Sequence, residues 1–332
     1  MTDGLPTPGF RTALVDPQGR HIVYLRLSLT DRCNFRCSYC SPGLETAHGD
    51  VLQRPDIRRL AGIFAETGIR RVRLTGGEPT LRRDIVEIVS DLHATPGIEE
   101  IALTTNGHRL EELAVPLRQA GLRQLNVSLD TFDGERLERL SGRAADVERI
   151  RRGIAAAACA GYPSLKLNTV VLRDVNSGEL GDLARFAWRH GAIARYIELM
   201  PFGGGEPVSV AEMQRLLEEQ GVRLEPDATR GWGPARHMRG TSVENGREVH
   251  GLLGFIGAIS ENFCGDCNRV RVSAAGALRA CLGGRDEVPL APLLRTGTDD
   301  EIEAAIREGL SRKRDRHHME EESFETMVRI GG

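Results

Sequence analysis

Six short segments, at 24–30, 71–75, 101–106, 124–130, 164–171 and 195–200, alternate apolar with polar residues, and helix-periodic stretches separate them. The helical patterns lie near 55–67, 81–94, 109–120, 145–160 and 177–190, with Gly68, Gly121, Gly161 and Gly191 as C-terminal stops. Strands alternating with helices predict βαβ units and a parallel sheet. Side chains of a strand point to opposite faces with period two. One face collects Leu25, Leu27 and Leu29; Val72 and Leu74; Ile101 and Leu103; Leu125, Val127 and Leu129; Leu165 and Leu167; Ile197 and Leu199. The other collects Arg26, Ser28 and Thr30; Arg73 and Thr75; Thr104 and Asn106; Asn126, Ser128 and Asp130; Lys166 and Asn168; Glu198 and Met200. Parallel strands are usually apolar on both faces, and burying so many unpaired polar groups would cost roughly 1–3 kcal/mol each. The polar face is therefore expected to line a solvated or ligand-filled lumen. An open six-stranded α/β barrel satisfies that pattern better than a flat doubly wound sheet.

Length and composition bound the rest. At 332 residues the chain has room for about two domains. Residues 1–20, with Pro6, Pro8, Gly9, Pro17 and Gly19, read as an arm without regular structure. The barrel core is placed at 21–205 and a C-terminal region at 206–332, with a further helix at 211–220 and an irregular stretch at 226–250. The formal net charge of −3 and the lack of a long apolar run predict no nucleic acid, no membrane and a cytoplasmic location. In that compartment clustered thiols are metal ligands or redox groups more often than disulfides.

The seven cysteines fall as three, one and three. Cys33, Cys37 and Cys40 follow the first strand segment; three thiolates at this spacing can hold an iron–sulfur cluster and leave one iron open. Cys264, Cys267 and Cys281 form the second group, followed within it by Arg269 and Arg271, whose parallel guanidiniums suit an anion such as phosphate. A zinc site completed by His250 or His237 remains an alternative for this second group. Cys159, within an alanine run, reads as a small buried core residue, and His317-His318 as part of a solvated charged stretch. Among 44 basic residues only Lys166 and Lys313 are lysines, which sets them apart from the planar guanidiniums.

The first triplet, with Tyr39 before its third cysteine, resembles the signature of the radical S-adenosylmethionine enzymes, and Gly76-Gly77-Glu78-Pro79 extends the likeness. The segments 26–37, 74–79, 104–107, 126–130 and 263–271, with the terminal Gly331-Gly332, are similar to the GTP 3′,8-cyclases that open molybdenum-cofactor biosynthesis. The resemblance spans roughly 12–332. It implies a (βα)6 partial TIM barrel, a smaller C-terminal iron–sulfur region and two 4Fe-4S clusters. One cluster, on Cys33, Cys37 and Cys40, would bind S-adenosylmethionine, with Tyr39, Gly77, Ser128 and Met200 at contact positions. The other, on Cys264, Cys267 and Cys281, would hold the guanine of GTP. Arg26, Arg73, Thr104, Lys166, Arg269 and Arg271 would meet its ribose and phosphates.

The implied reaction removes hydrogen from C3′ of the ribose with a 5′-deoxyadenosyl radical, joins C3′ to C8 of guanine, and ends at 3′,8-cyclo-7,8-dihydro-GTP. Arg269, Arg271 and the tail Gly331-Gly332 take catalytic parts in this reading. It also implies a reductant supplying electrons, cyclic pyranopterin monophosphate synthase as the downstream enzyme, and room for a homodimer. Ser41, where the family often has Met, and His237-Met238, where aromatics are expected, depart from the pattern. Three rivals stand beside it: a peptide-modifying radical enzyme with auxiliary clusters, a zinc-bearing interaction module, and a homologue that binds without turnover.

Overall fold

The computed structural model describes residues 11–40, 50–201, 204–228, 231 and 233–317. Six parallel strands lie side by side in chain order: β1 (Tyr24–Ser28), β2 (Arg71–Thr75), β3 (Glu100–Thr105), β4 (Gln124–Ser128), β5 (Ser164–Val171) and β6 (Ile193–Glu198). Helices α1 (Arg54–Glu66), α2 (Ile85–His93), α3 (Leu110–Gln119), the pair α4 (Gly134–Ser141) and α5 (Val147–Cys159), and α6 (Leu180–Arg189) connect them. Leu25, Leu27, Val72, Leu74, Leu103, Leu125 and Val127 are fully buried beneath those helices. Ile57, Leu60 and Phe64 of α1 and Ile88 and Leu92 of α2 meet them from outside. Each such side chain contributes about 1.5–3 kcal/mol relative to exposure. The sheet does not close, so the architecture is the open α/β partial barrel that the one-sided polarity requires.

The C-terminal half extends this sheet at both edges. It supplies α7 (Val210–Glu219), β7 (Arg223–Pro226), β8 (Arg236–Glu244), β9 (Arg247–Ile256), β10 (Arg269–Val272), β11 (Ala277–Arg279), β12 (Val288–Pro289), α8 (Ala291–Thr296) and α9 (Asp299–Ser311). β9 pairs parallel with β6, and β10 pairs parallel with β1. The result is one sheet of twelve strands, ordered β12-β11-β10-β1-β2-β3-β4-β5-β6-β9-β8-β7. Residues far apart in sequence are thereby set on adjoining strands of the same curved wall.

Several expectations need correction. Within the stretch 226–250, expected to be irregular, residues 236–250 carry β8 and the start of β9, an antiparallel hairpin turned at Asn245-Gly246. Both turn residues have positive φ, 49° and 73°, which Asn and Gly tolerate and which matches the strand twist. The sixth strand departs in part from the expected alternation: Glu198 lines the cavity as expected, but so do Arg195 and Ile197. Register pairs Asn168 with Arg195 and Val170 with Ile197, so Arg195 and Ile197 share the lumen face and the fully buried Tyr196 faces the helices. Apolar residues on both alternations of that strand hide which face is which. Residues 11–20 form no helix or strand, as expected, yet they are packed, with Leu14 and Ile22 buried around a bridge between Val15 and His21. Cys159 is exposed, because the buried face of α5 is occupied by Ile150, Gly153, Ile154 and Ala157, two residues earlier.

Candidate functional site

The loop after β1 is shaped by backbone contact with the turn after β2. Gly77 donates to Thr30 O at 2.7 Å and Glu78 to Arg32 O at 2.8 Å. A Cβ on Gly77 would stand 2.3 Å from Arg32 O, and one on Gly76 2.5 Å from Thr30 O. The glycine pair is thus required for the turn to lie against the residues that lead into Cys33. The buried Glu78 carboxylate then ties three segments together, accepting from Thr80 N and Oγ1, Thr105 Oγ1 and Asn106 N at 2.5–3.0 Å. Burial pushes its pKa up, against the pull of those donors.

At the far end of the loop, the Tyr39 hydroxyl donates to Asp130 Oδ2 at 2.6 Å, and Asp130 Oδ1 accepts from Val170 N at 2.9 Å. This bond ties the cysteine loop to the ends of β4 and β5. Burial raises Asp130 to about 6. Burial likewise raises Cys33 to about 11 and Cys40 to about 12, and Cys37 well above the ordinary thiol value; neighbouring thiols act on Cys37 and Cys40. Such thiols stay protonated unless a metal takes the proton's place.

The second triplet is built around β10 and β11. Cys264 opens a short turn, Cys267 lies just before β10, and Cys281 lies just beyond β11, which pairs antiparallel through Arg271 and Arg279. Burial raises Cys264, with Cys281 and Cys267 adding to the effect. Cys267 is lowered: burial opposes it, but Lys313 and Arg269 outweigh burial. All six thiols are free of disulfides and line one cavity of about 360 Å³.

Between the triplets stands a wall of cations. Arg26 is in register with Arg271 on one side and Arg73 on the other. Burial and the neighbouring guanidiniums hold Arg26 well below the ordinary arginine value; burial and Arg269 bring Arg271 to about 10; burial and Arg73 bring Arg195 to about 9. Arg73 donates to Tyr24 Oη, to Gln124 Oε1 at 2.6 Å and to Thr104 Oγ1 at 3.2 Å. Burial alone would raise Tyr24, yet Arg73, Arg26 and Arg269 bring it below its ordinary value. Cations that depress one another in a buried cavity suit a polyanion, which would relieve the repulsion.

Of the residues singled out from sequence, Arg26, Tyr39, Arg73, Gly77, Thr104, Ser128, Met200, Arg269 and Arg271 line this cavity with the six cysteines. Lys166 does not; it pairs in register with Asn126 and Ile193, below Asn168. His237 and Met238 lie on β8, away from the lining. Gly331, Gly332, Ser41 and His318 lie outside the described residues. The alternation argument missed Arg195, although an arginine in an apolar row could have flagged it. It also missed His317, which lines the cavity and approaches Ala258 O at 2.8 Å rather than facing solvent.

The residues fit two iron–sulfur clusters. Each thiol triplet lines the shared cavity with its sulfurs free of disulfides. Arg269 lines the cavity, and its buried Nε has no hydrogen-bond partner among the described residues, as expected where a polar ligand completes the site.

Comparison with known proteins shows the family. The model of the Radical SAM superfamily matches residues 27–187, and that of Molybdenum Cofactor Synthesis C matches 192–319. GTP 3′,8-cyclase of Heliobacterium modesticaldum is 42% identical over 96% of this chain and 100% of its own. The enzyme of the same name from Geobacter sulfurreducens is 40% identical over 96% and 99%. Among solved structures, Streptococcus suis SuiB bound to S-adenosylmethionine superposes with a TM-score of 0.59 at 16% identity, over 87% of this chain and 69% of SuiB. That likeness concerns the fold. With two full-length relatives at this identity and both halves matched, the chain belongs to the GTP 3′,8-cyclase family.

Proposed function

We infer that this chain is a radical S-adenosylmethionine lyase that converts GTP to 3′,8-cyclo-7,8-dihydro-GTP, the first step of molybdenum-cofactor biosynthesis. The observation that carries the reading is the placement of two thiol triplets, with a cationic wall between them, around one cavity. Cys33, Cys37 and Cys40 would hold one 4Fe-4S cluster, and Cys264, Cys267 and Cys281 the other. When bound, the first cluster and S-adenosylmethionine supply the radical that takes hydrogen from the ribose.

The chain's own part is binding and orientation. Tyr39, Gly77, Ser128 and Met200 would contact S-adenosylmethionine; Tyr39 is held for this by Asp130. Arg26, Arg73, Arg269 and Arg271 would grip the triphosphate, with Thr104 near the ribose and Arg195 added from the structure. Lys166 would act on the phosphates through the field it shares with Arg195 and Arg73, not by lining the cavity. Fixing both ends of GTP keeps C3′ and C8 within reach, an advantage that can supply about 7–11 kcal/mol of a barrier. The walls exclude water from a reactive intermediate.

The same reading assigns 21–205 to the barrel core and 206–332 to the region of the second cluster. It takes in an electron-supplying reductant, cyclic pyranopterin monophosphate synthase downstream, a homodimer and a cytoplasmic location. Among the described residues no helix is long and apolar enough to cross a membrane. The test is anaerobic incubation with S-adenosylmethionine, GTP and dithionite. Formation of 5′-deoxyadenosine with consumption of GTP is expected; stoichiometric zinc without sulfide in the purified chain would end the reading.

A further inference from the structure

Lys313 is buried, at 3% exposure, immediately after the last turn of α9. Its Nζ donates to Arg269 O at 2.9 Å and to Ala280 O at 2.5 Å. Those carbonyls belong to the two strand ends that carry Cys267 and Cys281. Among the described residues it has no carboxylate partner. A buried ammonium with no carboxylate partner among the described residues is costly, and this one sits where the chain leaves Cys267 and approaches Cys281. Arg20 works beside it from the N-terminal arm. Held by Asp16 at 2.6 Å, Arg20 donates to Cys264 O at 2.6 Å and to the carbonyls of Arg314 at 2.7 Å and Asp315 at 3.1 Å. Backbone carbonyls flanking all three cysteines are thus gripped by cations that also fix residues 313–315.

We propose that Lys313 is a positioning residue for the second cluster: it clamps the Cys267 and Cys281 strand ends together and supplies the positive charge that balances the cluster's thiolates. It acts through the cysteines and does not touch the substrate. This rests on the reading of Cys264, Cys267 and Cys281 as a cluster site. The test uses the full chain with Cys33, Cys37 and Cys40 replaced by alanine, so that only the second triplet can bind. Into that parent are placed Lys313→Gln, which keeps the polar head but not the charge, and Lys313→Arg, which restores the charge.

After anaerobic reconstitution, Lys313→Gln is expected to lose most of its iron and sulfide. If it keeps them, its cluster should reduce at a more negative potential, because a nearby cation favours the added electron. Lys313→Arg should recover the lost property. Iron, sulfide and potential equal to the parent's in Lys313→Gln would overturn the proposal, even if the variant melted lower. A parent that itself binds no cluster would instead overturn the site reading.

Discussion

Arg26 on β1 and Arg271 on β10 are register partners, joining cations separated by most of the chain on neighbouring strands. Arg73 flanks Arg26 on the other side, so three guanidiniums form one row across the lumen wall. Such a row opposes folding and favours an anion. Inorganic triphosphate should therefore raise the melting temperature; a ligand at 100 times its dissociation constant adds about 2.7 kcal/mol. Arg271→Leu should lose most of that rise, and without ligand it should melt no lower than the parent. Differential scanning fluorimetry with and without triphosphate reads both. An undiminished shift in Arg271→Leu would remove the row from the binding site.

Lys166 gives the fold a pH dependence of definite sign. Burial, with help from Arg195, Arg73 and Arg71, lowers its pKa from 10.5 to about 7. Between those values the unfolded chain holds a proton that the folded chain releases, so stability rises with pH. Below about 7 both states are protonated, the cost is fully present and the slope vanishes. The difference in melting temperature between the parent and Lys166→Met, followed from neutral to alkaline pH, should shrink steadily. A constant difference would place Lys166 in a wetter, less cationic setting.

Gly77→Ala forces a side-chain carbon to within 2.3 Å of Arg32 O, and the next residue is Cys33. Backbone cannot yield as a flexible side chain does. Overpacking of this kind costs about 1–3 kcal/mol, and here the strain falls on the first cysteine loop. The variant should melt lower and hold one cluster rather than two, the second remaining on Cys264, Cys267 and Cys281. Iron and sulfide analysis beside a melting curve separates this outcome from general unfolding. Retention of both clusters would show that the turn can move without disturbing Cys33.

The one-sided polarity of β1, β2, β4 and β5 was enough to place the lumen, because a polar residue at every second position has only one plausible burden: facing a ligand or water. β6 defeated the same argument. Ile197 looks like core, yet it lines the cavity, while the core position is taken by Tyr196, whose hydroxyl bonds to Leu180 O at 2.5 Å. Asn245-Gly246 was a local hairpin signal that the surrounding glycines and arginines obscured. Long-range assembly was a different matter. Nothing local in Arg269–Val272 says that it will pair with β1, and nothing in Lys313 says that it will meet Ala280. Those contacts depend on where the C-terminal half returns to the sheet, which composition and spacing do not encode.

The C-terminal tail yields the last prediction. The described chain reaches the cavity at His317, whose Nε2 lies 2.8 Å from Ala258 O, and Gly331 and Gly332 come later in the sequence. Glycine, having no side chain, suits a narrow space already shared by two ligands. Deleting Gly331 and Gly332 should abolish turnover while leaving iron, sulfide and the melting temperature unchanged. GTP consumption by the truncated chain, measured anaerobically beside the parent, decides the matter. Turnover at the parent's rate would remove the diglycine from the reaction and leave the arginine wall and the clusters to account for it alone.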